Sequence, residues 1–204
     1  MPQNFTSAPE NYEIHSFVSE GPDIVVTPAE HKGRGVLHSH SFYEIVYVAE
    51  GFTLHQSCGR ITMLITGDFF FVKPGEVHSY INAYQTKLYN LLFVPAALGD
   101  SFSALSALPG LDEMFSPSGE SLDPTHRLLH VSIGERRTIE SALEKMIGER
   151  ENKNVGWEVS LKARLTSLLI KYARMYDEQY DEHSAGGKKR SDNDYYGYIY
   201  KLLC

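Results

Sequence analysis

The chain has 204 residues, 42% of them hydrophobic and 12% aromatic, which is enough for one packed domain with an appendage but not for two large domains. Its formal net charge of −7 gives no surplus of basic side chains to displace phosphate counterions, so these residues alone are not expected to grip duplex DNA. Two cysteines, Cys58 and Cys204, make no disulfide framework and fit reduced thiols in a cytoplasmic protein, with no secretory signal at the amino terminus and no apolar run long enough for a membrane.

The first half reads as strands. Segments 43–48, 52–55, 61–65, 69–72 and 87–94 are rich in β-branched and aromatic residues, and Cys58-Gly59, Gly67-Asp68 and Pro74-Gly75 punctuate them as tight turns. Short strands at close spacing predict a sandwich or barrel rather than alternating βαβ units. From about Pro95 the character changes to a loop-rich stretch containing Pro109-Gly110, Pro117 and Gly119.

Two helical patterns follow. Ile139, Leu143, Met146 and Ile147 recur at helical spacing over 135–151, with Ser132 and Glu135 placed as a capping box. Over 159–179, Leu161, Leu165, Leu168, Leu169, Tyr172 and Met175 share one side, with Lys162, Arg164, Lys171 and Arg174 elsewhere. Residues 181–194 are polar and aperiodic, as a linker is, and Lys188-Lys189-Arg190 reads as solvated. The sequence turns apolar again from Tyr195 to Cys204, as though a further folded unit began there. The expected fold class is therefore mainly β with a helical C-terminal part (α+β), divided into a barrel at 1–110, a helical subdomain at 111–180, and a linker with the start of another domain at 181–204.

The segment richest in chemistry is His38-Ser39-His40-Ser41-Phe42-Tyr43-Glu44. Alternate residues of a strand share a face, so His38, His40, Phe42, Glu44 and Val46 should point one way, and Tyr43, Ile45 and Tyr47 the other. Both sets are rich in apolar side chains, so the strand should be buried on both sides. His78, after the Pro74-Gly75 turn, could reach the same interior. Three imidazoles and a carboxylate suit a divalent transition metal such as zinc, nickel, iron or manganese, or a hydrogen-bonded polar ligand without metal. Tyr80, Phe42 and Phe71 are further candidates for that interior, although aromatic residues on strands are more often plain core. His55 reads as an exposed strand residue, and His31, His126, His130 and His183 show no partner spacing.

This arrangement resembles the cupin superfamily. Its first motif, a histidine pair, a glutamate and a later glycine, is matched by His38, His40, Glu44 and Gly51, and its second by Pro74, Gly75, His78 and Asn82. The spacings from Gly67 to Pro74 and from Pro74 to His78 differ from the enzyme-type pattern. They are similar to the cupin variant of AraC-family transcription regulators, through Phe42–Val48 with Gly51, Gly67–Val72 and Pro74–Tyr80. The resemblance covers the chain from about Ile24 onward.

It implies a cupin, or jelly-roll, barrel followed by two amphipathic helices. The barrel would bind a small polar effector, for instance a sugar, through His38, His40, Glu44, His78 and Tyr80, with His38, His40, Glu44 and His78 as the metal set if metal is present. The helix carrying Leu161, Leu165, Leu168, Leu169, Tyr172 and Met175 would pair two copies into a homodimer, although the same stripe could simply cover the barrel. DNA would be read only by a C-terminal helix-turn-helix domain that these residues lack. On this reading the chain is no enzyme, requires no cofactor and has no membrane partner. The competing class is a metal-dependent cupin enzyme, of dioxygenase or isomerase type, using the same four side chains.

Overall fold

The computed structural model describes residues 9–31, 33–57, 59–116 and 128–180. Its strands are β1 (Glu10–Tyr12), β2 (Ile24–His31), β3 (His38–His40), β4 (Tyr43–Ser57), β5 (Arg60–Ile65), β6 (Asp68–Val72), β7 (His78–Phe93) and β8 (Leu128–His130). The helices are α1 (Ser101–Leu105), α2 (Leu111–Phe115), α3 (Ile133–Asn152) and α4 (Trp157–Tyr180). The proposed linker and the segment from Tyr195 to Cys204 lie outside the described residues, as do Cys58, His126 and His183.

The antiparallel pair β4 and β7 is the spine, and each strand is long enough to serve two sheets. The first half of β4 lies between β6 and the second half of β7, with β2 and β8 outside them. The second half of β4 lies between β5 and the first half of β7, with β3 and β1 beyond. The strands bend from one sheet to the other where the register slips between Val48 and Phe52. Gly51 sits in that bend at φ 78°, where a Cβ would run into the carbonyl oxygens of Tyr84 and Gln85. Only glycine meets both demands.

Both faces of the first sheet are buried, as the sequence predicts. Val46, Val48, Leu64, Phe70, Val72, Tyr80, Leu88 and Leu128 form an inner cluster. Ile45, Tyr47, Phe69, Phe71, Leu91 and Phe93 turn outward into a larger cluster capped by the helices. Phe71 therefore faces the helices, not the barrel interior.

The expected pairing stripe needs correction. Leu161, Leu165, Leu168, Leu169, Tyr172 and Met175 are all buried in that larger cluster, against Tyr47, Phe69 and Phe71. Burying such a side chain stabilises by about 1.5–3 kcal/mol relative to exposure, which commits the stripe to its own chain. The exposed side of α4 instead carries Val159 and Ala163, with half-buried Thr166 and Ile170 following at its margin, where Ile170 packs against the cluster.

Two smaller differences have local causes. Ser132 stands at the N-cap of α3, but its hydroxyl makes no capping hydrogen bond. Glu135 accepts from Lys171 Nζ at 2.7 Å instead, so a bond between helices replaces the capping box. Residue 110 is also no seam, since β8 comes from the expected helical part, pairs with β6, and both long helices share the barrel's outer core.

Candidate functional site

The site grows from a bend and a turn. The chain leaves β3 at His40, bends through Ser41-Phe42 and re-enters the sheet as β4, so the predicted single strand is two. The alternation survives the bend, because His40 and Glu44 are both buried and both turn inward. The loop Lys73-Pro74-Gly75-Glu76 closes with Glu76 N–H donating to Lys73 O at 3.2 Å and with Gly75 at φ 80°. Gly75 N–H also donates to His40 O at 2.8 Å, which ties this turn to β3. His78 follows at once, in register with His38 on β3 and Ser57 on β4.

Three of the four expected ligands meet. One ligand atom each from His40, Glu44 and His78 lie within 4.8 Å of one another, and all three residues are buried. Glu44 Oε2 is the focus, 3.1 Å from His40 Nε2 and 3.4 Å from His78 Nε2. His38 stands beside this group rather than in it. Its ring centroid is 4.2 Å from that of His78, its Nδ1–H donates to Val36 O at 2.9 Å, and burial holds its pKa below the ordinary value. The four-residue metal set read from the sequence therefore reduces to three.

Hydrogen-bond accounting shows what the three residues want. His40 Nδ1–H donates to Phe42 O at 2.7 Å and His78 Nδ1–H to Glu76 O at 3.2 Å. A neutral imidazole has one proton, and a carbonyl can only accept, so each Nε2 keeps a lone pair facing a carboxylate oxygen. A divalent cation, or a second proton on each ring, resolves that opposition. Backbone carbonyls that fix the Nδ1–H tautomer are a usual outer support of metal-binding histidines, and two imidazoles with one carboxylate leave coordination positions for a ligand. These residues thus fit a divalent transition metal. Burial alone would raise the Glu44 pKa, but with that second proton on each ring the hydrogen bonds from His40 and His78 outweigh it and hold the carboxyl well below the usual range.

The structure adds a residue that the sequence reading placed outside. His55 is 1% exposed, not a surface residue. Its ring lies 5.4 Å from that of His78, 5.3 Å from Tyr80 and 4.6 Å from Phe70. Burial is the main cause that pulls its pKa down to about 3, so the ring is neutral. The register slips around Gly51 explain the error. Glu44, Val46 and Val48 face inward on even positions, whereas Thr53, His55 and Ser57 do so on odd ones. Tyr80 is buried inside, as expected, and Phe42 stacks on His40 at 4.3 Å while packing with Ile14, Val18, Val25 and Leu92.

A second polar set, also missed, links barrel and helices. Asp68 Oδ1 accepts from His130 Nδ1–H at 2.7 Å, its Oδ2 accepts from Ile65 N–H at 2.8 Å, and Arg136 on α3 approaches His130 Nε2 at 3.3 Å. Gln179 on α4 brackets β8, accepting from His130 N–H at 3.1 Å and donating to Leu128 O at 3.4 Å. The Gly67-Asp68 turn marked this place in the sequence, but nothing there pointed to His130.

Comparison with known proteins gives this geometry a family. The sequence matches the AraC-like ligand binding domain over residues 21–169. It is 27% identical over 141 residues to the HTH-type transcriptional activator RhaR of Klebsiella pneumoniae, covering 69% of this chain and 48% of that protein. Against RhaR of Escherichia coli the identity is 29% over 107 residues, covering 52% of this chain and 36% of the relative. The chain thus spans about half or less of these relatives' length. Among solved structures, an RmlC-like cupin from Shewanella frigidimarina superposes with a TM-score of 0.32 at 28% identity, covering 34% of this chain and 64% of that one. A cupin 2 barrel protein from Salinispora arenicola gives 0.34 at 21% identity, covering 51% and 78%.

Proposed function

Because the chain belongs to the AraC-like ligand binding domain family, we propose that it is the effector-sensing part of a transcription regulator and takes a small polar molecule, such as a sugar, into its barrel. The observation that carries this reading is the convergence of His40, Glu44 and His78 on one buried point inside a jelly-roll. A buried polar focus of this kind needs a partner that the surrounding apolar wall does not supply. His40, Glu44 and His78 would hold a divalent metal such as zinc, nickel, iron or manganese. When bound, the metal would supply a positive centre on which effector oxygens can settle. His38 and Tyr80 would line the same space.

Transmission would run through the sheet, whose residues alternate between the effector and the helices. Glu44 and Val46 face inward while Ile45 and Tyr47 face α3 and α4, and Tyr47 donates to Glu140 on α3 at 3.0 Å. On β8, Leu128 belongs to the inner cluster and Leu129 to the outer one. An effector shifts such a structure only if it binds one arrangement of sheet and helices better than the other. DNA contact would belong to residues beyond this chain, in a cytoplasmic protein, and among the described residues no helix is long and apolar enough to cross a membrane. Homodimerisation would use the stripe of α4 that carries exposed Val159 and Ala163 and half-buried Thr166 and Ile170, spaced four, three and four residues apart, close to a coiled-coil seam.

The same two-histidine, one-carboxylate group would also serve a metal-dependent cupin enzyme, which needs open coordination positions but no α4 seam. Native mass spectrometry after zinc loading tests the main reading. One metal per chain and a retained small molecule are expected, with both lost in Glu44→Gln and His78→Ala. Equal retention in the variants refutes the site.

A further inference from the structure

One buried side chain of the barrel has no use in the cluster formed by His40, Glu44 and His78. Both ring nitrogens of His55 are buried without a hydrogen-bond partner among the described residues. A buried polar atom left in this state costs about 1–3 kcal/mol, so an apolar side chain of similar size would serve the fold better there. His55 is also placed at the site, since its ring neighbours are His78, Tyr80 and Phe70. Asn90 adds a second open group. It pairs directly with Val46 on β4, which puts it on the inward face, and its buried Oδ1 has no partner among the described residues.

We infer that His55 is the residue that reads the effector, donating one hydrogen bond to it and accepting one from it. This rests on the barrel being the effector site. A neutral imidazole has one N–H and one lone pair, which a hydroxyl group, both donor and acceptor, can satisfy. Asn90 Oδ1 only accepts, so the ligand must bring an O–H or N–H group to it. Lys73, the buried lysine of the described residues, gives its ammonium to Ser116 Oγ at 2.6 Å and is not available to an anion here. Phe70 and Tyr80 flank His55 and present apolar surface to the C–H side of a ring. Around His55 and Asn90, outside the metal set, the geometry selects uncharged hydroxyl groups over a carboxylate or phosphate ester.

The test is thermal unfolding of the 204-residue chain with a panel of aldopentoses and aldohexoses, and in parallel with the matching uronic acids. At least one neutral aldose should stabilise the wild type. His55→Leu should unfold no earlier than the wild type without sugar, yet bind that aldose at least about tenfold more weakly, about 1.4 kcal/mol. His55→Gln, which keeps a donor and an acceptor, should retain part of the affinity and carries the comparison if His55→Leu does not fold. Zinc affinity should stay unchanged in both variants, because His55 lies outside the metal set. Earlier unfolding of both variants without sugar would show a structural role and overturn the inference. So would undiminished aldose binding, or stabilisation of the wild type by the acids alone. Undiminished binding in His55→Leu together with loss in Glu44→Gln would sink the role of His55 and leave the effector site standing. No stabilisation of the wild type by any panel member would sink the ligand class with it.

Discussion

Replacing Leu165 by alanine separates the two roles that the stripe on α4 could have. Leu165 is 0% exposed and lies in the cluster that joins Tyr47, Phe69 and Phe71 of the sheet to Leu143 and Met146 of α3. Walled by a sheet on one side and a helix on the other, the site has little room to collapse, so the loss should fall in the upper part of the usual range of about 2–5 kcal/mol for leucine to alanine. For a chain of this size that is a fall in Tm of roughly 7–20 °C. Trp157, the single tryptophan, opens α4 with the Arg150 guanidinium 5.8 Å from its ring, so its fluorescence reports release of the helix. Urea unfolding followed by that signal should show the loss, and sedimentation should show the oligomeric mass unchanged. A wild-type midpoint combined with dissociation of a dimer would mean that Leu165 faces a partner, and the packing assigned to α4 would be wrong.

Three further outcomes are expected. Ala163→Glu, at an exposed position of the proposed seam on α4, should leave the urea midpoint nearly unchanged, within about 0.5 kcal/mol, but abolish any dimer seen by sedimentation; a persisting dimer would remove the seam from consideration. Gly51→Ala forces a Cβ against the carbonyls of Tyr84 and Gln85 at a positive φ, and should cost about 1–3 kcal/mol; a midpoint equal to that of the wild type would show that the bend in β4 is not constrained there. Gln179→Ala removes both side-chain bonds to β8 and should speed hydrogen exchange at the His130 amide about five- to tenfold, equivalent to about 1–1.4 kcal/mol of lost protection; unaltered exchange would mean that α4 does not hold that strand.

What the sequence revealed and what it concealed have separate physical origins. Alternation placed His40 and Glu44 on one face correctly because only two residues, Ser41 and Phe42, separate β3 from β4, and that interruption preserves the phase of the pleat. The same rule failed for His55 because the register slips around Gly51 change the phase, and a bulge leaves no composition signal beyond a glycine that also suits a turn. The leucine stripe was visible as a stripe, but periodicity tells only that a helix face is buried, not whether a sheet or a second chain buries it. Strand β8 is three residues long and reaches β6 from more than fifty residues away, and its partners Asp68, Arg136 and Gln179 are equally distant or on separate elements. No local pattern carries such a pairing.

The missed polar set also bears on how a bound molecule could be felt outside the barrel. Asp68 opens β6, whose Phe70 faces the inner cluster and touches His55 across a 4.6 Å ring contact. Through His130 the same aspartate meets Arg136 on α3, while Gln179 on α4 holds the strand between them. A ligand that shifts His55 alters its contact with Phe70, and β6 cannot move along its length without stretching the 2.7 Å bond from His130 to Asp68. That bond has a fully buried acceptor, so losing it costs more than an exposed pair would, and the lower-energy response is for β6, β8 and the helix ends to move together. Differential affinity of about 1.4 kcal/mol between two such arrangements changes their ratio tenfold. One hydrogen bond formed in only one of them is enough to supply it.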